Sequence, residues 1–105
     1  MKLLTKEIET KLEKHPFHSQ EGNGGEADIL VKFFNPIGIG TWYVLEGEKM
    51  PNGDWEFFGI VDLHCREYGY FTLKELTDLR LPLGLKIERD MYFGKQKVKD
   101  LKEFY

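Results

Sequence analysis

Three sets of residues in this chain are of types that could do chemistry. The first is made of the three histidines and the single cysteine. His15 and His18 stand three apart and His64 adjoins Cys65, so four zinc-ligating donors are present. Their spacing works against a shared ion. Pro16 breaks the helix that would aim His15 and His18 the same way, and no second paired element follows, so no metal and no cofactor are expected. Cys65 as a nucleophile activated by His64 fails because neighbours on an extended chain point to opposite faces; a semi-buried thiol is expected instead.

The second set is Glu88-Arg89-Asp90, three charges inside an otherwise apolar segment, which Gln20 and Glu21 of an upstream loop could approach. Carboxylates with one arginine can position a substrate or a water for hydrolysis. The same residues can form an internal ion-pair knot in which Arg89 ties a loop to a sheet. The third set is acidic: Glu46, Glu48, Asp54 and Glu56, relieved by Lys49. Gathered at a hairpin tip, they could imitate DNA phosphates and enter the basic groove of a nuclease. They could also simply solvate an edge against strand pairing. Gly22, Gly24 and Gly25 suggest a phosphate loop, but no Lys-Ser or Lys-Thr follows and the segment leads into a strand, not a helix.

The elements that must position these residues are organised around Asp54–Leu63, an aromatic and β-branched run that is expected to be the central strand. Asn52-Gly53 before it can make a type I′ turn, with 40–50 running back antiparallel. That register pairs Met50 with Trp55, Glu48 with Phe57, Leu45 with Ile60 and Val44 with Val61. Trp42, Val44, Met50, Trp55, Phe57, Val61 and Leu63 then share one face, and Tyr43, Leu45, Phe58 and Ile60 the other. Both faces are partly apolar, so something must cover the second. Left open, its aromatics could stack single-stranded nucleic-acid bases or bury a protein partner, with Phe104 and Tyr105 adding to them. Packing under a terminal helix would be the simpler fate.

Around this hairpin, Thr5 can cap a helix through about Lys14, and 16–26 has the composition of a mobile loop. Asp28–Phe34 is a second apolar strand, stopped by Asn35-Pro36, and Tyr68–Phe71 is a further short one. Thr72 and Glu75 have capping-box spacing at the start of a helix carrying Leu73, Leu76, Leu79 and Arg80. Leu85–Phe93 is expected to be extended, and 97–105 to form a C-terminal helix through Val98, Leu101 and Phe104 or Tyr105. The expected fold is α+β, a small antiparallel β-meander of three to five strands with short N-terminal, middle and C-terminal helices.

The chain has 105 residues, enough for one domain with its own core without metal or disulfides. Aromatics at 14% and charged residues at 31% are a globular balance. A net charge of −3 removes the overall basic footprint that non-specific nucleic-acid binding needs, though a local basic patch would escape that test. One cysteine excludes an internal disulfide, no apolar stretch approaches membrane-spanning length, and the start lacks a signal-type apolar core. The expectation is a cytoplasmic protein, a monomer or weak dimer, without membrane attachment.

Several motifs then occur in order: Leu3-Leu4-Thr5, Gln20-Glu21, Val31-Lys32-Phe33-Phe34, Thr41-Trp42-Tyr43 and Phe57-Phe58-Gly59. They continue with Gly69-Tyr70-Phe71-Thr72-Leu73 before Glu75-Leu76, and Gly84-Leu85-Lys86-Ile87-Glu88-Arg89-Asp90 before Tyr92-Phe93. Over nearly its whole length the chain resembles a bacterial family of small proteins known as a domain of unknown function, often met on plasmids, conjugative elements and phages. It departs from that pattern at Leu81, where glycine is expected, and in a shortened, glycine-rich segment before Thr41. The resemblance brings no activity and no catalytic residues; it implies a mobile-element setting, serving transfer or countering host defence. Three functions follow in order. The first is a non-enzymatic protein-interaction module, such as an anti-restriction or anti-CRISPR inhibitor, whose partner is a host or element-encoded protein, a nuclease among the candidates. The second is a nucleic-acid-binding accessory protein of plasmid or phage transfer. The third is a small hydrolase using the Glu/Arg/Asp cluster, placed last because no nucleophile, phosphate-loop or zinc signature convinces.

Overall fold

The computed structural model describes residues 2–101. Helix α1, Lys6–Glu13, begins where Thr5 accepts a hydrogen bond from the Ile8 N–H at 3.3 Å, with Glu7 and Glu9 in its positive first turn. Its apolar side buries Leu12. Strands β1 (Asp28–Ile29) and β2 (Val31–Phe34) divide what the sequence presents as one apolar run. Strand β3 spans Thr41–Lys49, β4 Trp55–Asp62 and β5 Arg66–Thr72; helix α2 covers Leu73–Asp78, β6 Glu88–Arg89 and β7 Gln96–Lys97.

Five strands form one antiparallel sheet in the order β5-β4-β3-β2-β6, and β1 pairs with β7 in a separate two-stranded ribbon. The fold is α+β, as expected. The middle of the sheet is β3 and not the run beginning at Asp54, because β2 returns on the far side of β3 and takes β6 with it.

Two details of the β3–β4 hairpin differ from the sequence register, and both matter for the site. The turn is three residues long. Gly53 donates to the Met50 carbonyl at 2.9 Å and Met50 donates to Asp54 at 2.7 Å, with only Gly53 at positive φ (+90°). Pro51 fixes a type I geometry followed by a left-handed glycine, so Lys49 pairs with Trp55 and Glu48 with Glu56. Farther along, the register slips at a β-bulge: Val44 pairs with Gly59 but Glu46 with Phe58, leaving Leu45 as the extra residue. A Cβ on Gly59 would run into the Tyr43 carbonyl, so only glycine lets the strands approach here.

The bulge reverses the facing of β3 beyond Leu45. Trp42 and Val44 lie on the first face with Trp55, Phe57 and Val61, as the alternation requires, together with Leu3, Leu4, Leu12, Phe33 and Phe71. Phe57 is fully buried at its centre, its ring 5.5 Å from Phe71 and 6.1 Å from Phe33 between centroids. Tyr43, Leu45 and Ile60 face the other way with Phe58. Unbroken alternation would send Glu46 and Glu48 to the first face; the extra residue turns both to the second. Met50 leaves the first face for the same reason and is half-buried outside both cores, while Leu63 is exposed beyond the end of β4.

What covers the second face is the β1–β7 ribbon with its two flanking 3-10 turns, Gly24–Glu26 and Val98–Asp100, which place Ala27, Ile29, Val98 and Leu101 over Tyr43, Leu45 and Ile60. The expected C-terminal helix is therefore corrected: Lys97 lies in β7 opposite Asp28, and Val98 donates to Ala27 at 3.0 Å. Non-local pairing takes the backbone groups a helix would use. Phe104 and Tyr105 lie outside the described residues. Helix α2 carries the capping box between Thr72 and Glu75 but ends at Asp78, with Leu79 already extended ahead of Pro82. Of Leu85–Phe93, only Glu88–Arg89 joins the sheet. No helix among the described residues is long and apolar enough to cross a membrane.

Candidate functional site

The loop at 16–26, expected to be mobile, is pinned to the sheet by side chains. Glu46 is 4% exposed and its two oxygens accept the backbone N–H groups of His18 and Gln20, each at 2.9 Å. Glu48 accepts the Phe17 N–H at 3.0 Å. Gln20, 7% exposed, donates its amide to the carbonyls of Leu45 (2.7 Å) and Asp28 (2.8 Å) and accepts the Asp28 N–H at 2.6 Å. It thus substitutes for a missing strand neighbour between β1 and β3. The bulge is the cause: it turns Glu46 and Glu48 under the loop.

The acidic set therefore does not gather into one exposed hairpin surface. Glu46 is buried, Glu48 binds the loop, and Asp54 accepts the Lys74 N–H at 3.0 Å at the start of α2. Glu56 is half-buried between Glu48 and Thr72 of the neighbouring strands. The polar set is dispersed as well. Gln20 serves the loop and Glu21 meets His18 Nδ1 at 3.1 Å on the surface. Arg89 donates to the carbonyls of Lys2 (2.6 Å) and Leu3 (3.1 Å), fastening the N-terminal segment to the sheet edge. Asp90 lies 3.4 Å from Lys32 Nζ, and Glu88 pairs with Phe34. Arg89 does tie a segment to the sheet, but the N-terminal one and not the loop of Gln20 and Glu21.

His15 donates Nδ1–H to the Lys11 carbonyl at 2.9 Å, and His64 lies in the β4–β5 turn. No group of three or more His, Cys, Asp or Glu among the described residues is placed to hold a metal ion. Cys65 is exposed, not semi-buried, because it sits in the same turn. Its thiol lies 3.5 Å from Glu67 Oε1, and that hydrogen bond, then the Glu67 charge, raises its pKa. A raised pKa leaves less thiolate, the opposite of what a nucleophile needs.

What the fold does build is an aromatic groove on the open half of the second face. Cross-strand pairing sets Phe58 opposite Tyr70 and Ile60 opposite Tyr68, so these side chains share a face. Phe58 lies 5.0 Å from Tyr70 and stacks within 8° on Tyr68 at 5.8 Å, and Phe17 meets Tyr70 edge-on at 5.6 Å. Phe58, Tyr68 and Tyr70, with His18, Glu21 and Glu46 opposite, bound a groove of about 480 Å³. The sequence had a signal for it: Tyr68-Gly69-Tyr70 alternates in a strand, but only the β4–β5 register shows that it extends the Phe58 face. A second concavity of about 570 Å³ runs between α1 and the β7 segment past Lys11, His15 and Lys95. Its Lys97 is already held near Glu26 and Asp28.

The sequence profile described as "Protein of unknown function (DUF2958)" matches residues 3–102, nearly the whole chain. The chain belongs to the DUF2958 family. This confirms the resemblance drawn from the motifs, and the family's description carries no activity. No curated protein and no solved structure matches significantly. The groove of this DUF2958 protein therefore has to be interpreted from its own residues.

Proposed function

We propose that the chain is a non-enzymatic protein-interaction module whose contact surface is the aromatic groove of β4 and β5. The observation that carries this reading is the exposure of Tyr68 (47%) and Tyr70 (57%) on an edge strand, beside a loop already fixed in place. Tyrosine is enriched in interface cores and among the residues that dominate binding energy, and a preformed wall lowers the ordering cost of association. In the mobile-element setting suggested by the motifs, the partner is a host or element-encoded protein, and an anti-restriction or anti-CRISPR inhibitor is one form the module would take. Nucleic acid suits the groove less: its rings could stack bases, but Glu21 and Glu46 line it and would repel the phosphates.

The test is capture of partners from host lysate, followed by titration of the purified partner. The double variant Tyr68→Ala, Tyr70→Ala and the charge-reversed Glu56→Lys are run beside the parent. A stoichiometric complex weakened about thirtyfold or more by the tyrosine variant, the scale of hot-spot truncation, and retained by Glu56→Lys supports the reading. Loss in Glu56→Lys alone would return the contact to the acidic hairpin, and turnover of the captured molecule would overturn the non-enzymatic assignment.

A further inference from the structure

The charge around the groove says what kind of side chain fills it. Among the described residues, the acidic side chains lining it, Glu21 and Glu46, are accompanied by no lysine or arginine, and His18 is the one titratable base there. Glu46, 4% exposed, has both oxygens taken by the backbone N–H groups of His18 and Gln20, so Glu21 is the lining carboxylate that stands exposed to a ligand. Among the described residues, Glu21 meets the His18 imidazole at 3.1 Å. Of the described lysines on the flanking segment, Lys99 is committed to Glu26 at 2.6 Å and Lys97 to Glu26 and Asp28. Opposite these carboxylates stand Phe58, Tyr68 and Tyr70. Gly22 and Gly24, both at positive φ, put no side chain over the opening.

We infer that the groove receives an arginine side chain of the protein partner, its guanidinium stacked on the tyrosine wall and facing the Glu21 carboxylate of the loop. This rests on the interaction reading above and names the chemistry of the partner residue. Aromatic faces attract cations through their quadrupole, and the effect strengthens where water is excluded. Arginine fits better than lysine because a planar, weakly hydrated guanidinium can lie flat on a ring while forking towards a carboxylate. An aliphatic side chain would fill the wall but leave the Glu21 carboxylate facing apolar surface, which costs desolvation without return.

The full chain is titrated by NMR with blocked Gly-Arg-Gly, and with the same peptide carrying citrulline, lysine or norleucine in the centre. Saturable shifts of the Tyr68, Tyr70 and Phe58 ring signals are expected with arginine. Affinity should be about fivefold or more above citrulline, which keeps the shape but not the charge. Tyr70→Leu and Glu21→Gln, both at exposed positions, should each weaken the arginine peptide severalfold and leave the fold intact. Citrulline or norleucine binding as tightly as arginine overturns the inference while leaving the groove a contact surface; equal binding of lysine overturns the choice of arginine. Failure of every peptide at millimolar concentration also overturns it. Partner capture by the parent but not by the tyrosine variant would still uphold the interaction reading, so the two can fail separately.

Discussion

Replacing Glu46 by glutamine tests whether one buried carboxylate holds the loop that forms a wall of the groove. In the parent both oxygens accept, from His18 and Gln20 at 2.9 Å each, at a position only 4% exposed. Glutamine keeps one acceptor and turns an NH2 group towards the other N–H, so one charge-assisted bond is lost and a buried donor is left unsatisfied. Hydrogen bonds to charged groups contribute about 1.5–3 kcal/mol each, and Glu46→Gln should therefore destabilise by about 2 kcal/mol. Alanine removes both bonds and should cost about 4 kcal/mol, a large share of the roughly 5–15 kcal/mol available to a domain of this size. Urea unfolding gives the stability change. Amide hydrogen exchange locates it, because His18 and Gln20 should lose protection by more than the global destabilisation explains. The control, Glu21→Gln, removes an exposed carboxylate and should stay within about 0.5 kcal/mol of the parent. Glu46→Gln inside that same margin, or destabilised without selective loss at His18 and Gln20, would refute the clamp.

Three further outcomes are expected. Gln20→Leu leaves the Leu45 and Asp28 carbonyls and the Asp28 N–H without their amide partner and should destabilise by about 3 kcal/mol; an unfolding midpoint matching the parent's would contradict that. Arg89→Ala should cost about 2 kcal/mol and make the segment around Lys2 and Leu3 the first site of limited proteolysis, whereas unchanged protease resistance would dissociate Arg89 from that segment. The Cys65 thiol pKa is raised chiefly by the hydrogen bond to Glu67 and then by its charge, so the thiolate fraction at mildly alkaline pH is smaller than in a free cysteine. Glu67→Gln should lower that pKa and shift the rate profile of thiol alkylation to lower pH; a profile that stays in place would rule out Glu67 as the cause.

Local chemistry was readable wherever one segment carries it. Thr5 marks the start of α1, Thr72 with Glu75 marks α2, and Pro51-Asn52-Gly53 marks a hairpin, because caps and turns are satisfied within three or four residues. The division of Trp42, Val44 and Phe57 from Tyr43, Leu45 and Ile60 also follows from strand period alone. The register did not, since the same three residues permit a two-residue or a three-residue turn, and each shifts every pair beyond it. The candidate sets lie apart in the fold for a related reason. Glu46 and Glu48 look like hairpin charges until the Leu45 bulge turns them beneath a loop some thirty residues away in sequence.

The sequence by itself determined an α+β fold, a meander around an aromatic hairpin and membership of DUF2958, because these rest on periodicity, capping and a family match along residues 3–102. Only the tertiary structure decided that Gln20 and Glu46 hold the 16–26 loop to the sheet, that the C-terminal segment pairs with Asp28–Ile29, and that Tyr68 and Tyr70 join Phe58 in a groove. Each of those depends on which distant backbone groups remain unpaired once the sheet has formed, and that is a property of the pairing, not of any one segment.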